Sequence, residues 1–440
     1  MSPVSPSTIN PAGANITRRF HSLQEWLSWQ QKLHFTSIDL GLERCRQVAA
    51  DLDLLAPPYR IITVAGTNGK GSSSMMLEMM MRKAGYRTGC YTSPHLVRYN
   101  ERILVDGVEV DDEVLCRSFS RIDQARGDIS LTYFEFGTLA ALDIFNNAGL
   151  DLAILEVGLG GRLDAVNMMD ADVVLLCTID FDHVRWLGHD RNSIGYEKAG
   201  VFRPLRPAVC ADSNPPESII NHAAVLGTEL FVSGRDFTYQ LNDDTWSWQS
   251  QGATLDKLPR PDPYNNMQVH NAAAVLKVLE LVAGEFPVAT ATVIEVLSGF
   301  RPAGRCQVLQ DVVPMVFDVA HNPQAMENLR NCLEKMPPAR STHMVIGFLN
   351  DKDYQKMLQI LCGCGDFWYL VTLDDARSLA AGIPVEILAR LGITENISAY
   401  ENVADAMSQA RAQSRPGDRI IVTGSFVTVG AAMSWLNAGN

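Results

Sequence analysis

The stretch Ile61-Ile62-Thr63-Val64-Ala65-Gly66-Thr67-Asn68-Gly69-Lys70-Gly71-Ser72-Ser73 decides the fold. Its β-branched apolar start reads as a strand buried on both faces of a parallel sheet. A turn with three glycines and one lysine follows, and residues 72–84 read as a helix. Strand, glycine turn and helix together aim backbone N–H groups and a helix N-terminus at a phosphate. The strict P-loop pattern asks for glycine at position 64 and Ser or Thr at position 71, where this chain has Val64 and Gly71. Lys70 and the hydroxyls of Thr67, Ser72 and Ser73 survive. A plain glycine turn is the competing interpretation.

Neighbouring strands weigh against that alternative. Residues 88–92 form an apolar strand that runs into Ser93-Pro94-His95, residues 152–156 end on Glu156, and residues 173–179 lead to Asp180-Phe181-Asp182-His183. Ligands of parallel sheets collect at the carboxyl ends of strands. A strand-end glutamate is often merely solvated, and a lone histidine is usually structural. Lys70, Ser93, Glu156 and His183 at successive strand ends instead suit a Mg-nucleotide site, which needs an anion cradle and hard oxygen ligands.

Helices are expected over residues 21–33, after the segment 37–44 to near 55, and over 111–126, 134–147, 193–199, 271–283 and 289–297. A hairpin turns at Asp106-Gly107. Residues 227–264 are polar, Trp-containing and strand-like. Phe300-Arg301-Pro302-Ala303-Gly304-Arg305 breaks helical periodicity, and beyond it strands at 315–318, 343–348, 368–372 and 419–423 alternate with helices. The expectation is a two-domain α/β protein, because 440 residues exceed one ordinary core. A flexible tail (1–20) precedes a P-loop mononucleotide-binding parallel sheet (21–300), a hinge (301–305) and a smaller C-terminal Rossmann-like α/β domain (306–440).

A formal charge of −13 argues against a general nucleic-acid binder, which needs a basic surface. Nine scattered cysteines, with only Cys362 and Cys364 close together, suit reduced thiols better than zinc or disulfides. No apolar run reaches membrane-spanning length, and the first twenty residues lack a hydrophobic signal core. A cytoplasmic monomer is expected.

The segments Val64-Ala-Gly-Thr-Asn-Gly-Lys-Gly-Ser72, Tyr91-Thr-Ser-Pro-His-Leu-Val-Arg-Tyr-Asn-Glu-Arg102, Leu131-Thr-Tyr-Phe-Glu135 and Leu155-Glu-Val-Gly-Leu-Gly-Gly-Arg-Leu-Asp-Ala165 occur in that order. Asp182-His183, Glu197-Lys-Ala-Gly200, Phe317-Asp-Val-Ala-His-Asn-Pro323 and Asp351-Lys-Asp353 follow. With these collinear motifs the sequence resembles the Mur-ligase superfamily and, within it, the bacterial dihydrofolate synthase/folylpolyglutamate synthase family. The resemblance implies an ATP-dependent ligase that activates a carboxylate as an acyl phosphate and joins it to the amine of L-glutamate. The acceptors it implies are 7,8-dihydropteroate and reduced folates. A folylpolyglutamate synthase alone, another Mur-type amino-acid ligase, and a nucleotide-gated binding protein that hydrolyses ATP remain alternatives.

By position, the resemblance assigns the ATP phosphates to Thr67, Asn68, Gly69, Lys70, Gly71 and Ser72. Asn271, Arg305 and Asp318 would reach the nucleotide from the hinge and second domain, Arg305 and Asp318 only after rotation about the hinge. It implies magnesium, two ions in all, on Ser93, Glu156, His183 and a carbamylated Lys198. His321 would join Lys70 and Lys198 in catalysis. Dihydropteroate would meet Ile38, Asp39, Leu40, Gly41, Thr132, Tyr133, Phe134, Glu135, Leu163, Asp164 and Ala165, with Phe134 packing on the ring and Asp164 hydrogen-bonding it. Val166 and Phe181 depart from the family pattern where either is expected to reshape this pocket.

Overall fold

The computed structural model describes residues 18–439. Of the tail expected over 1–20, residues 1–17 lie outside the described residues. The last three tail residues are anchored: Arg18 pairs with Glu113, Arg19 with Asp123, and Phe20 meets Trp26 edge-on at 5.2 Å.

Eight strands form the first sheet: β1 (Arg60–Ala65), β2 (Thr88–Tyr91), β3 (Ile103–Val105), β4 (Val108–Glu109), β5 (Leu152–Glu156), β6 (Val173–Leu176), β7 (Ala208–Cys210) and β8 (Leu230–Val232). Their spatial order is β4-β3-β2-β5-β1-β6-β7-β8. Strands β2, β5, β1, β6, β7 and β8 are parallel, and β3 and β4 add an antiparallel hairpin at one edge. β1 lies between β5 and β6 and is buried from Ile61 to Ala65, as its unbroken apolar run requires. Because β1, β2, β5 and β6 run the same way, the chain leaves all four at one sheet edge.

A separate antiparallel sheet, β9 (Phe237–Leu241), β10 (Thr245–Ser250) and β11 (Thr254–Pro259), fills the polar, Trp-containing region. Trp246 and Trp248 share one strand face and are buried; Trp248 Nε1 donates to the Ala273 carbonyl at 2.9 Å. Ala273 belongs to the helix Asn266–Val282, which shares a core with the helix Lys70–Lys83 through Met76, Met80 and Val275. The small sheet therefore backs the helix that opens from the glycine turn.

The C-terminal sheet has the order β12 (Gln307–Leu309), β13 (Met315–Phe317), β17 (Arg419–Thr423), β14 (Thr342–Gly347), β15 (Phe367–Val371) and β16 (Ile397–Tyr400). All neighbours are parallel except β12 with β13. The two outermost strands, β12 and β16, were not expected from the sequence. Each is short and only partly buried, so neither carries the apolar run that marks a central strand.

The two large sheets approach each other closely. A Cβ on Gly430, in the helix Phe426–Asn437, would lie 1.9 Å from the Leu96 carbonyl, so only glycine lets that helix reach the loop after β2. No helix among the described residues is long and apolar enough to cross a membrane.

Candidate active site

A cavity of about 900 Å³ lies between the carboxyl edges of the two large sheets. Every candidate catalytic, nucleotide, metal and dihydropteroate residue named above borders it. Those at 67–72, Ser93, Glu156, 163–165 and His183 follow strand ends of the first sheet, whereas 38–41 precede a helix and 132–135 open one. Asp318 and His321 come from the loop after β13, and the loops after β14 and β17 add Lys352, Ser425 and Phe426.

The glycine turn is held open from beneath. Thr67 N donates to Thr178 O at 2.8 Å, and Thr67 Oγ1 exchanges hydrogen bonds with the backbone of Asp180. Lys70 Nζ donates to the carbonyls of Gly66 (3.1 Å) and Thr67 (3.2 Å). Lys198 Nζ donates to the same Gly66 carbonyl at 2.9 Å. Burial and the nearby Lys70 ammonium pull the Lys198 pKa down to about 7. Gly69 has φ +93, and a Cβ there would lie 2.6 Å from Asn271 Oδ1. That buried Oδ1 has no partner among the described residues, which leaves an acceptor beside the turn for a ligand donor.

Glu156 ends β5 with its carboxyl buried, and burial raises its pKa against the opposing charge of Lys70. Its Oε2 accepts from Ser93 N at 3.2 Å. His183 sits in a left-handed backbone conformation, and burial holds its imidazole down to about 4, neutral and able to coordinate. Among the described residues no group of three or more His, Cys, Asp or Glu is arranged to hold a metal alone. A carboxylate, a hydroxyl and an imidazole that leave positions for water and phosphate oxygens fit magnesium, which seldom occupies an all-protein cage.

The second sheet is already in place against this edge. Lys352 Nζ donates to Asp182 Oδ1 at 2.6 Å, and His321 Nε2 lies 3.4 Å from Asp182 Oδ2. Burial alone would raise the Asp182 pKa, but His321, His183 and Lys352 hold it well below the ordinary carboxylate range. Asn68 and Asn322 exchange side-chain hydrogen bonds at 3.2 and 3.0 Å. Arg305, expected to arrive only after rotation, already reaches the turn: a Cβ on Gly71 would lie 3.8 Å from its Nη2 and 3.7 Å from Glu156 Oε2. Phe426 supports that guanidinium, 5.1 Å from the ring centroid. Asp318 is turned into its own loop, accepting from Cys306 N and Ala320 N, and burial raises it to about 6.

The other half of the cavity is more apolar, with Ile38, Leu40, Phe134 and Leu163 on its wall. Its carboxylates are engaged within the protein. Asp39 pairs with Arg44 at 2.6 Å and His34 at 3.1 Å. Glu135 accepts from Thr132 N at 2.7 Å and from Arg44 Nη2 at 2.9 Å, so Thr132 and Glu135 form a capping box for the helix Tyr133–Asn146. Asp164 accepts from Leu159 N (2.8 Å) and Val166 N (3.0 Å), and burial lifts its pKa to about 7. The expected hydrogen bond from Asp164 to a ligand ring therefore meets a carboxyl that already holds two backbone N–H groups. Phe181, expected to reshape the pocket, is 46% exposed and does not border it; Val166 is buried behind the wall.

Residues 304–426 match the family Mur ligase, glutamate ligase domain. Over 94% of its length the chain is 42% identical to the dihydrofolate synthase/folylpolyglutamate synthase of Escherichia coli (strain K12), covering 96% of that protein. The chain belongs to the dihydrofolate synthase/folylpolyglutamate synthase family. Among solved relatives in that family, E. coli FolC in complex with DHPP and ADP has a TM-score of 0.89 at 41% identity, over 96% of this chain and 99% of that one. A second is a bifunctional folylpolyglutamate synthase/dihydrofolate synthase with Mn, AMPPNP and L-glutamate bound. Its TM-score is 0.87 at 41% identity, over 96% of this chain and 100% of that one.

Sequence motifs reached Asp182 and Lys352 without giving either a role, and missed Phe426 altogether. Their strand-end positions after β6, β14 and β17 were the available signal. For this member of the family the turn makes a sharp demand. Gly69→Ala is expected to weaken ADP binding at least about tenfold by calorimetry and to lower the melting temperature by a few degrees without loss of folding, because φ and Asn271 both exclude a side chain. Unaltered ADP affinity would contradict this geometry.

Proposed function

We propose that this chain is an ATP-dependent ligase that joins L-glutamate to 7,8-dihydropteroate and to reduced folates. One observation carries the reading: the glycine turn and the more apolar half walled by Ile38, Leu40, Phe134 and Leu163 open into a single cavity, so a carboxylate from one side can meet a phosphate from the other. A substrate carboxylate oxygen attacks the γ-phosphorus and ADP leaves. The glutamate amine then attacks the acyl carbon, and phosphate departs with one former carboxylate oxygen. Activation is needed because an unactivated carboxylate is a poor electrophile.

Lys70 and the N–H groups of residues 67–72 cradle the phosphates, and Arg305 approaches the same point from the second domain. Asn271 supplies an acceptor to the nucleotide. His321, held with Lys352 on Asp182, borders the cavity and would join Lys70 and Lys198 in catalysis. Ser93, Glu156 and His183 would hold magnesium, which neutralises phosphate charge when bound. Lys198 would be carbamylated and serve a second ion. Its amine is buried and its pKa is low enough to supply the neutral form that CO₂ requires. The ligase is read as a monomer, and its nine unpaired cysteines suit the cytoplasm.

ADP release should depend on both L-glutamate and dihydropteroate. Lys70→Ala should lower it at least about a hundredfold on either folate substrate without loss of folding; near-normal turnover at saturating ATP would contradict the assignment. For Lys198, exchange into CO₂-free buffer should reduce turnover and bicarbonate should restore it. Turnover indifferent to CO₂ would exclude the carbamate.

A further inference from the structure

Gln30 is 1% exposed, on the helix Leu23–Leu33, and borders the folate half of the cavity beside His34, Ile38 and Asp39. Neither its Nε2 nor its Oε1 has a partner among the described residues. An amide buried with both ends unpaired is costly, and native proteins seldom keep one without a use. Packing does not ask for it. Leu23 and Trp26, seven and four residues earlier on the same helix, are buried and apolar, so periodicity calls for an apolar residue at this position.

The surrounding polar groups have no need of it. Asp39 is held by Arg44 and His34, Glu135 by Thr132 N and Arg44, and Asp164 by two backbone N–H groups. What is left on this wall is one donor and one acceptor side by side in a plane. A ligand edge that satisfies both must carry an acceptor next to a donor.

We propose that Gln30 reads the lactam edge of the pterin ring. Nε2 donates to the C4 carbonyl and Oε1 accepts from N3–H, a two-bond match between a primary amide and a cis-lactam. Leu40, Phe134 and Leu163 border the same space and offer apolar surface to the ring. Substrate choice at this wall then comes from an unpaired amide that only a lactam-bearing ring satisfies, because an analogue without the edge leaves the amide buried and unpaired. This rests on the ligase reading above.

The test uses the full chain with Gln30→Leu and Gln30→Met, both close in volume to glutamine. The KM for dihydropteroate is expected to rise about tenfold, with kcat and the KM for ATP little changed. The melting temperature should stay level or rise, because an unpaired amide has been removed. An unchanged dihydropteroate KM in both variants would overturn the proposal and leave Gln30 a packing residue. An unsubstituted protein that releases no ADP with dihydropteroate and glutamate would overturn the ligase reading and this inference with it.

Discussion

The carbonyl oxygen of Gly66 receives two lysine amines, Lys70 at 3.1 Å and Lys198 at 2.9 Å. That junction fixes the turn between β1 and its helix, and the rest of the site is arranged around it. The Lys70 ammonium and the buried Lys198 amine meet at one carbonyl with Glu156 nearby, a local charge cluster that an anionic ligand completes. The sheet provides this economically. Parallel strands β1, β2, β5 and β6 deliver their last residues to one edge, so a lysine, a hydroxyl, a carboxylate and an imidazole converge without any long excursion of the chain.

The second domain adds to this cluster rather than merely covering it. Asp182 and Lys352 are buried as a pair between the sheets, and Asn68 of the turn is bonded directly to Asn322. A buried pair of this kind is strongly disrupted by loss of either partner, since the remaining charge stays unpaired. The domain contact and the phosphate turn are therefore coupled through Asn68 and Asp182. Any rotation that withdraws Arg305 from Gly71 also breaks these bonds.

The first sheet was legible because its evidence is local. β1 announces itself by an apolar run into glycines, and β5 by an apolar run into Glu156. The motifs that carry the family resemblance also pick out residues that border one cavity, those expected to meet dihydropteroate among them. What stayed hidden depends on distance or on roles that residue type alone does not reveal. The partners Asp182 and Lys352 are 170 residues apart, and Asn68 and Asn322 are 254 apart, beyond any periodic signal. Glu135 borders the cavity and also caps a helix, a second role that its Thr-x-x-Glu spacing to Thr132 signals. Gln30 carries no signal within the helix expected over residues 21–33, because an unpaired amide is visible only once its neighbours are packed.

The central claim is that one cavity brings a folate carboxylate to the γ-phosphate before glutamate is joined. Dihydropteroate labelled with ¹⁸O in its carboxylate, incubated with ATP, magnesium and L-glutamate, tests it directly. The account predicts one labelled oxygen in the inorganic phosphate for each amide formed, read by mass spectrometry. Unlabelled phosphate accompanying amide formation would contradict it.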